Sequence, residues 1–290
     1  MNPFIDRLAE IGLLSEERLV LYHQRVRDRD DVQVLQDTLT EVIVLSSVEQ
    51  ITQEYYQEKD EKFALDVNGV EVSTPRLQDN VRRAKEFSGY IAGKNWLDFG
   101  SGLGGMLDEL SSQAALAIGL EPNLDRAEIA SRKGHHIVSN LDSIEDDSLD
   151  VVTVFHVLEH LLDPLQTLSH IRRVLKKNGI VLIEVPHARD ALFSLFDCGP
   201  FKDFTFWSEH LVLHTRNSLS TLLKSALFRS VEITGYQRYP LSNHLHWLAK
   251  GKPGGSVDWG FLNSLQLDVS YASKLGQLDR TDTLIAISKK

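Results

Sequence analysis

Trp96-Leu97-Asp98-Phe99-Gly100-Ser101-Gly102-Leu103-Gly104-Gly105 passes from an apolar strand into a glycine turn and then into a helix. A turn without Cβ atoms lets the backbone approach a ligand at a helix N-terminus. Gly100, Gly102 and Gly105 satisfy G-x-G-x-x-G, and Glu121 follows 21 residues after Gly100, at the end of the next strand. That pattern permits a dinucleotide reading, that of an NAD(P)-dependent oxidoreductase. Two residues favour a different ligand. Asp98 stands at the ligand end of the strand, where a carboxylate repels pyrophosphate but attracts a ligand with an amino group and a sulfonium. Gly104 makes the run G-x-G-x-G, a turn over which adenosine and an amino-acid tail fit. Glu121-Pro122-Asn123 then presents a carboxylate to two ribose hydroxyls.

Outward from this turn, short apolar runs alternate with amphipathic segments. Residues 95–99, 115–120, 137–138, 150–155 and 179–185 read as strands, and 103–112, 124–133 and 164–177 as helices. Asp163 and Pro164 mark the start of the last helix and Asn178-Gly179 its stop. Such alternation predicts βαβ units, a parallel sheet, and a ligand at the carboxyl ends of its strands. Further on, 218–226 and 262–275 read as helices and 231–234 and 283–288 as strands.

The first ninety residues read mainly as helices, with Ile5, Leu8, Ile11 and Leu14 at helical spacing and Val34, Leu35, Leu39, Val42, Ile43 and Val48 repeating it. The expected organisation is a helical N-terminal extension over 1–90 and a cofactor domain over 91–290. Insertions on its substrate side are expected near 187–215 and 238–280. Composition narrows the partners. The lone Cys198 rules out an intrachain disulfide, and with no targeting signal read at the N-terminus the expected setting is a reducing cytoplasm. A net charge of −10 argues against nucleic acid, whose phosphates need a basic face. No apolar run approaches the ~20 residues that span a bilayer.

In combination, several motifs resemble those of the class I S-adenosylmethionine-dependent methyltransferases. They are Leu97–Gly104, then Gly119-Leu120-Glu121-Pro122-Asn123, then Asp150–Pro164 with its His156-Val157-Leu158-Glu159-His160, then Ile171–Pro186. The resemblance covers about residues 94–236. It implies a Rossmann-like α/β fold with a mostly parallel seven-stranded sheet and an antiparallel last strand, and S-adenosyl-L-methionine as cofactor. It also implies a cofactor set of Asp98, Gly100, Gly102, Gly104, Glu121, Pro122, Leu141, Asp142 and Phe155, with Tyr56 folding over from the N-terminal side.

The histidines carry the remaining chemistry. His156 to His160 matches H-x-x-E-H, an inverted zinc-peptidase pattern. Residues 150–155 are a β-branched strand, however, so His156 sits at a strand end and no metal is expected. His156 follows the fourth strand and His187 the fifth; with neighbouring strands about 4.8 Å apart, both should project near each other at the ligand edge. Either is a candidate general base for an acceptor hydroxyl, as is His210, with Glu209 beside it. The segment 243–255 faintly resembles methyltransferases of surface polysaccharide biosynthesis, which suggests a sugar acceptor contacted by His244, His246 and Trp247. The expected activity is methylation of a small-molecule or carbohydrate acceptor, with oxygen favoured. A non-catalytic cofactor-binding module is the third reading.

Overall fold

The computed structural model describes residues 2–52, 55–58 and 74–290. Pro3–Glu10 forms helix α1, capped by Asn2, whose side chain accepts from the Phe4 amide, and it buries Phe4, Ile5 and Leu8. Beyond it the chain departs from the helical expectation. Leu19–His23 (β1), Val34–Asp37 (β2) and Ile43–Leu45 (β3) are antiparallel strands of a four-stranded sheet. Val34, Val42, Ile43 and Val44 are β-branched and pack better on a pleated surface than on a helix. Asp37 closes the β2–β3 turn, accepting from the Ser15, Leu39 and Thr40 amides and from Arg18. Short apolar runs fit either period, and here tertiary pairing decides. Helices do follow, as α2 (Tyr55–Glu58) and α3 (Thr74–Ile91).

The second sheet begins with β4 (Asn95–Phe99), which enters α4 (Gly105–Leu110) through the glycine turn. Next come β5 (Leu116–Leu120), α5 (Leu124–Arg132), β6 (Ile137–Val138), β7 (Leu149–Phe155), α6 (Pro164–Val174) and β8 (Leu175–Pro186). The Asp163 carboxylate accepts from the Gln166 amide at the start of α6, as its position before Pro164 predicts. The chain then forms α7 (Ala191–Ser194), α8 (Gly199–Thr205), β9 (Val212–Leu213), α9 (Arg216–Ser225) and β10 (Arg229–Tyr236). It ends with α10 (Leu241–Lys250), α11 (Gly255–Asp258), α12 (Leu265–Leu278) and β11 (Thr283–Lys289).

The seven strands lie in the order β10-β11-β8-β7-β4-β5-β6, with β11 antiparallel to both of its neighbours and the other pairings parallel. From β4 the chain runs outward through β5 and β6, then returns to the other side of β4 as β7. That reversal opens a crevice at the carboxyl ends of β4 and β7, where the loops leave in opposite directions. β9 pairs with β3, so the segment after β8 completes the N-terminal sheet and ties it to the edge of this crevice.

The segment 243–255 is not the loop that its glycines suggest; most of it is α10. His244, His246 and Trp247 are buried there. His244 bonds to Tyr271 of α12 and His246 to the Lys252 carbonyl and Asp258, while Trp247 packs against Phe201. They do not line the crevice, so the expected sugar contacts are packing residues.

Candidate active site

The crevice is a cleft of about 480 Å³. Its floor is the glycine turn. Gly100, Gly102 and Gly104 all take the left-handed conformation, with φ of 79°, 54° and 81°. A Cβ on Gly100 would meet Val157 Cγ2 at 2.4 Å, whereas one on Gly102 would meet nothing within 4 Å. Gly102 therefore faces open cleft, the place for close approach of a ligand. Gly104 caps α4 one step behind this wall.

Asp98 ends β4 beneath the turn, and its Oδ1 accepts from the Thr153 hydroxyl at 2.7 Å, which itself accepts from Trp96 Nε1 at 2.9 Å. Burial pushes its carboxyl up to about 6, against the pull of Thr153 and Arg83. A buried carboxylate of that kind gains from a bound cation. Glu121 ends β5, where its two oxygens accept from the Gly102 and Asn123 amides, both at 2.9 Å. Pro122, Phe155 and Tyr56 complete this part of the wall, with Phe155 stacked on Phe87. Leu141 and Asp142 do not reach it. Leu141 is buried with its carbonyl accepting from Arg173, and Asp142 is exposed. They lead the short turn after β6, a strand of two residues.

The three histidines separate. Phe155 is in register with Glu184, so His156 comes level with Val185, and its amide donates to the Glu184 carbonyl. His187 lies further along, fully buried, with Nδ1 bonded to the Thr281 carbonyl, and it does not line the cleft. The expectation that it faces the ligand beside His156 fails because β8 outruns β7. Burial holds the His187 imidazole down at about 4.

His156 does line the cleft. Its Nδ1 lies 3.1 Å from Glu159 Oε1 and its Nε2 lies 3.2 Å from Glu184 Oε1. Burial opposes its charge, yet bonds to the two carboxylates raise it above the ordinary imidazole value. Nε2 also lies 3.2 Å from Arg238 Nη1, so both ring nitrogens are engaged and neither is free to take a proton from an acceptor. His156 therefore fits an orienting role better than that of a base. His210 lies beside His160 and Trp207, the two imidazole rings 5.0 Å apart. Burial and the neighbouring His160 hold His210 down at about 3.

Glu184 is the residue that sequence reasoning missed. It is fully buried and accepts from Arg82 and Arg83 of α3 at 2.7 Å, besides His156. Its signal was legible, a lone charge within the apolar run Ile180-Val181-Leu182-Ile183-Glu184-Val185. Arg83, Asp79 and Arg238, which also line the cleft, carried none. Arg238 pairs with Asp79 across the cleft edge.

Fold and cleft together define an α/β protein with a site for an adenosine-bearing, cationic cofactor. A family profile described as "Methyltransferase domain" matches residues 73–233, more than half of the chain. The chain belongs to this family, the class I S-adenosylmethionine-dependent methyltransferases. It is 33% identical over 110 residues to a ubiquinone biosynthesis O-methyltransferase of Haemophilus ducreyi, over 32% of this chain and 45% of that protein. To a probable S-adenosylmethionine-dependent methyltransferase of Mycolicibacterium smegmatis it is 34% identical over 104 residues, 33% of this chain and 39% of the other. The chain thus spans less than half the length of these curated relatives. Among solved structures, a SAM-dependent methyltransferase from Archaeoglobus fulgidus matches with a TM-score of 0.53 at 23% identity, over 74% of this chain and 94% of that one. This likeness speaks for the fold.

Proposed function

We propose that this chain transfers a methyl group from S-adenosylmethionine to an oxygen of a small-molecule acceptor. Asp98 carries the reading. It is a buried carboxylate at the head of an open glycine turn, and it favours a cationic amino group over a pyrophosphate. The residues fit the cofactor: Asp98 for its amino group, Gly100 and Gly102 for its tail, Glu121 for its ribose, and Phe155 as a flat apolar wall. When bound, S-adenosylmethionine supplies a methyl group activated by a cationic sulfur. The chain's own residues do the rest. Phe99, Met106 and Leu120 exclude water from the floor, which strengthens every charge interaction there. His156, locked between Glu159 and Glu184, orients the loop after β7.

The acceptor end is the wall formed by Tyr56, His160, Trp207, Glu209 and His210. His210 is neutral and faces this end, so it remains the candidate for taking an acceptor proton, although its depressed pKa makes it a weak one. Oxygen is favoured because the Haemophilus ducreyi and Pasteurella multocida relatives are both named as O-methyltransferases. A small hydroxylated molecule suits the cleft better than a polysaccharide, since the residues that suggested a sugar are buried elsewhere. Among the described residues, no helix is long and apolar enough to cross a membrane.

Isothermal titration with S-adenosylhomocysteine and with NADH tests the cofactor assignment. The expected result is binding of the first and none of the second. NADH binding without a response to S-adenosylhomocysteine would overturn the proposal in favour of an oxidoreductase.

A further inference from the structure

Glu159, His160 and His210 converge at the acceptor end of the cleft. Each offers one ligand atom, and these atoms lie within 4.8 Å of one another. We infer that they form a binding site for a single divalent transition-metal ion that anchors the acceptor. The inference rests on the methyltransferase reading only for what the metal would hold, not for whether it binds.

Two unpaired atoms point to a ligand. Glu159 is fully buried, and while its Oε1 meets His156, its Oε2 has no hydrogen-bond partner among the described residues. His210 Nδ1 is likewise buried and unpartnered. Buried polar atoms are nearly always satisfied, and an orphan often marks a missing ion or water. Here two orphans come from residues of the same cluster. A metal held at about 2.0–2.2 Å needs these ligand atoms closer together than they stand, so binding requires the side chains to turn inward.

The surroundings are those of a metal site. Ligands are held in place by outer partners that fix their orientation. Glu159 is braced by His156, which is braced in turn by Glu184 and its arginines. Trp207 packs edge-on against both imidazoles, and the Tyr56 hydroxyl lies 3.4 Å from His160 Nδ1. Two imidazoles and one carboxylate suit zinc, manganese or iron and leave coordination positions open. His160, His210 and Glu209 also line the cleft, so those positions face the acceptor.

The ligand set differs from the one that the H-x-x-E-H spelling suggests. In that pattern both histidines would bind zinc and the glutamate would act as base. Here His156 is excluded, because its Nδ1 is engaged by Glu159 and its Nε2 by Glu184 and Arg238. Its place is taken by His210, brought in from the segment before β9. A metal on this set would give the cleft what its histidines lack. A divalent ion held here would lower the pKa of a bound acceptor hydroxyl, so that its proton would leave with less help from a side-chain base. Metal ligation and proton acceptance by His210 Nδ1 exclude each other, so this inference replaces the base role.

The test uses the full chain, stripped with a chelator and then titrated with Mn²⁺ and with Zn²⁺ by calorimetry, with S-adenosylhomocysteine titrated separately. The expected result is one ion per chain, with affinity lowered at least about ten-fold in His210→Ala, His160→Ala and Glu159→Gln. In His210→Ala, S-adenosylhomocysteine affinity should be unchanged, which shows that the variant is folded. No saturable binding of either ion, or equal affinity in wild type and a folded His210→Ala, would overturn the inference. Metal binding without S-adenosylhomocysteine binding would sink the cofactor reading alone, and the reverse result would sink the metal site alone.

Discussion

His156 Nε2 lies 3.2 Å from Glu184 Oε1, across the carboxyl ends of two neighbouring parallel strands, and this contact joins the catalytic edge of the sheet to α3. Glu184 also receives Arg82 and Arg83, so two guanidinium groups and an imidazole converge on one fully buried carboxylate. His156 pays for its position with a φ of 54°, a conformation that costs a non-glycine residue about 1–2 kcal/mol. The carboxylates on either side of the ring hold it there.

Removing the charge at this hub should be severe. Glu184→Gln leaves two guanidinium groups facing a neutral amide, and breaking a buried pair of this kind costs about 3–5 kcal/mol. Urea unfolding should show that loss as a lower midpoint with an unchanged slope. A shift under about 1 kcal/mol would mean that water already screens the cluster.

The same contact has a pH signature. The His156 imidazole is raised above 6.5 in the folded chain, so its contribution is complete below pH 6.5 and is lost as pH rises through the folded value. His156→Asn should therefore destabilise the protein more at pH 6 than at pH 9. Thermal unfolding at both pH values provides the comparison, and an equal loss at both would contradict the assigned charge.

Asp98 gives the same sign of pH dependence but the opposite effect of substitution. Its carboxyl is raised from 3.8 to about 6, so the folded state holds its proton more tightly and stability falls as pH rises from about 4 to 6. Asp98→Asn keeps an acceptor for Thr153 and removes a buried charge. At pH 7 it should raise stability by as much as about 3 kcal/mol, while S-adenosylhomocysteine binding is lost. Wild-type affinity for that ligand should weaken as pH drops below 6. Retained binding in a stabilised Asp98→Asn would remove the amino-group assignment.

Two glycines separate strain from collision. Gly100 and Gly134 both have positive φ, yet an added Cβ meets Val157 at Gly100 and nothing at Gly134. Gly134→Ala should cost only about 1–2 kcal/mol of backbone strain. Gly100→Ala should cost more and also weaken S-adenosylhomocysteine binding, because Val157 lines the cleft. Calorimetry and thermal unfolding on the two variants measure both effects.

For His187 a structural outcome is expected. His187→Ala should lose about 1–3 kcal/mol through its buried bond to the Thr281 carbonyl and leave cofactor affinity intact. A loss of affinity with normal stability would restore it to the site.

What the sequence determined was local and periodic. The order of strand, glycine turn, helix and acid from Asn95 to Glu121 was legible because each element has its own short-range chemistry. The same holds for the Asp163-Pro164 start of α6. Glu184 was visible as an oddity, a charge inside an apolar strand, though nothing nearby in sequence named its partners. Residues 34–45 misled because a short β-branched run satisfies two periods, and only pairing with a distant segment, Val212–Leu213, selects one. Register decided the rest. Strand spacing correctly placed the ends of β7 and β8 together, but the two residues by which β8 overshoots put Glu184, not His187, against His156. The meeting of Glu159 and His160 with His210 is of the same kind. Contacts between residues far apart in the chain are set by how sheets and loops pack, and no pattern within one segment encodes that distance.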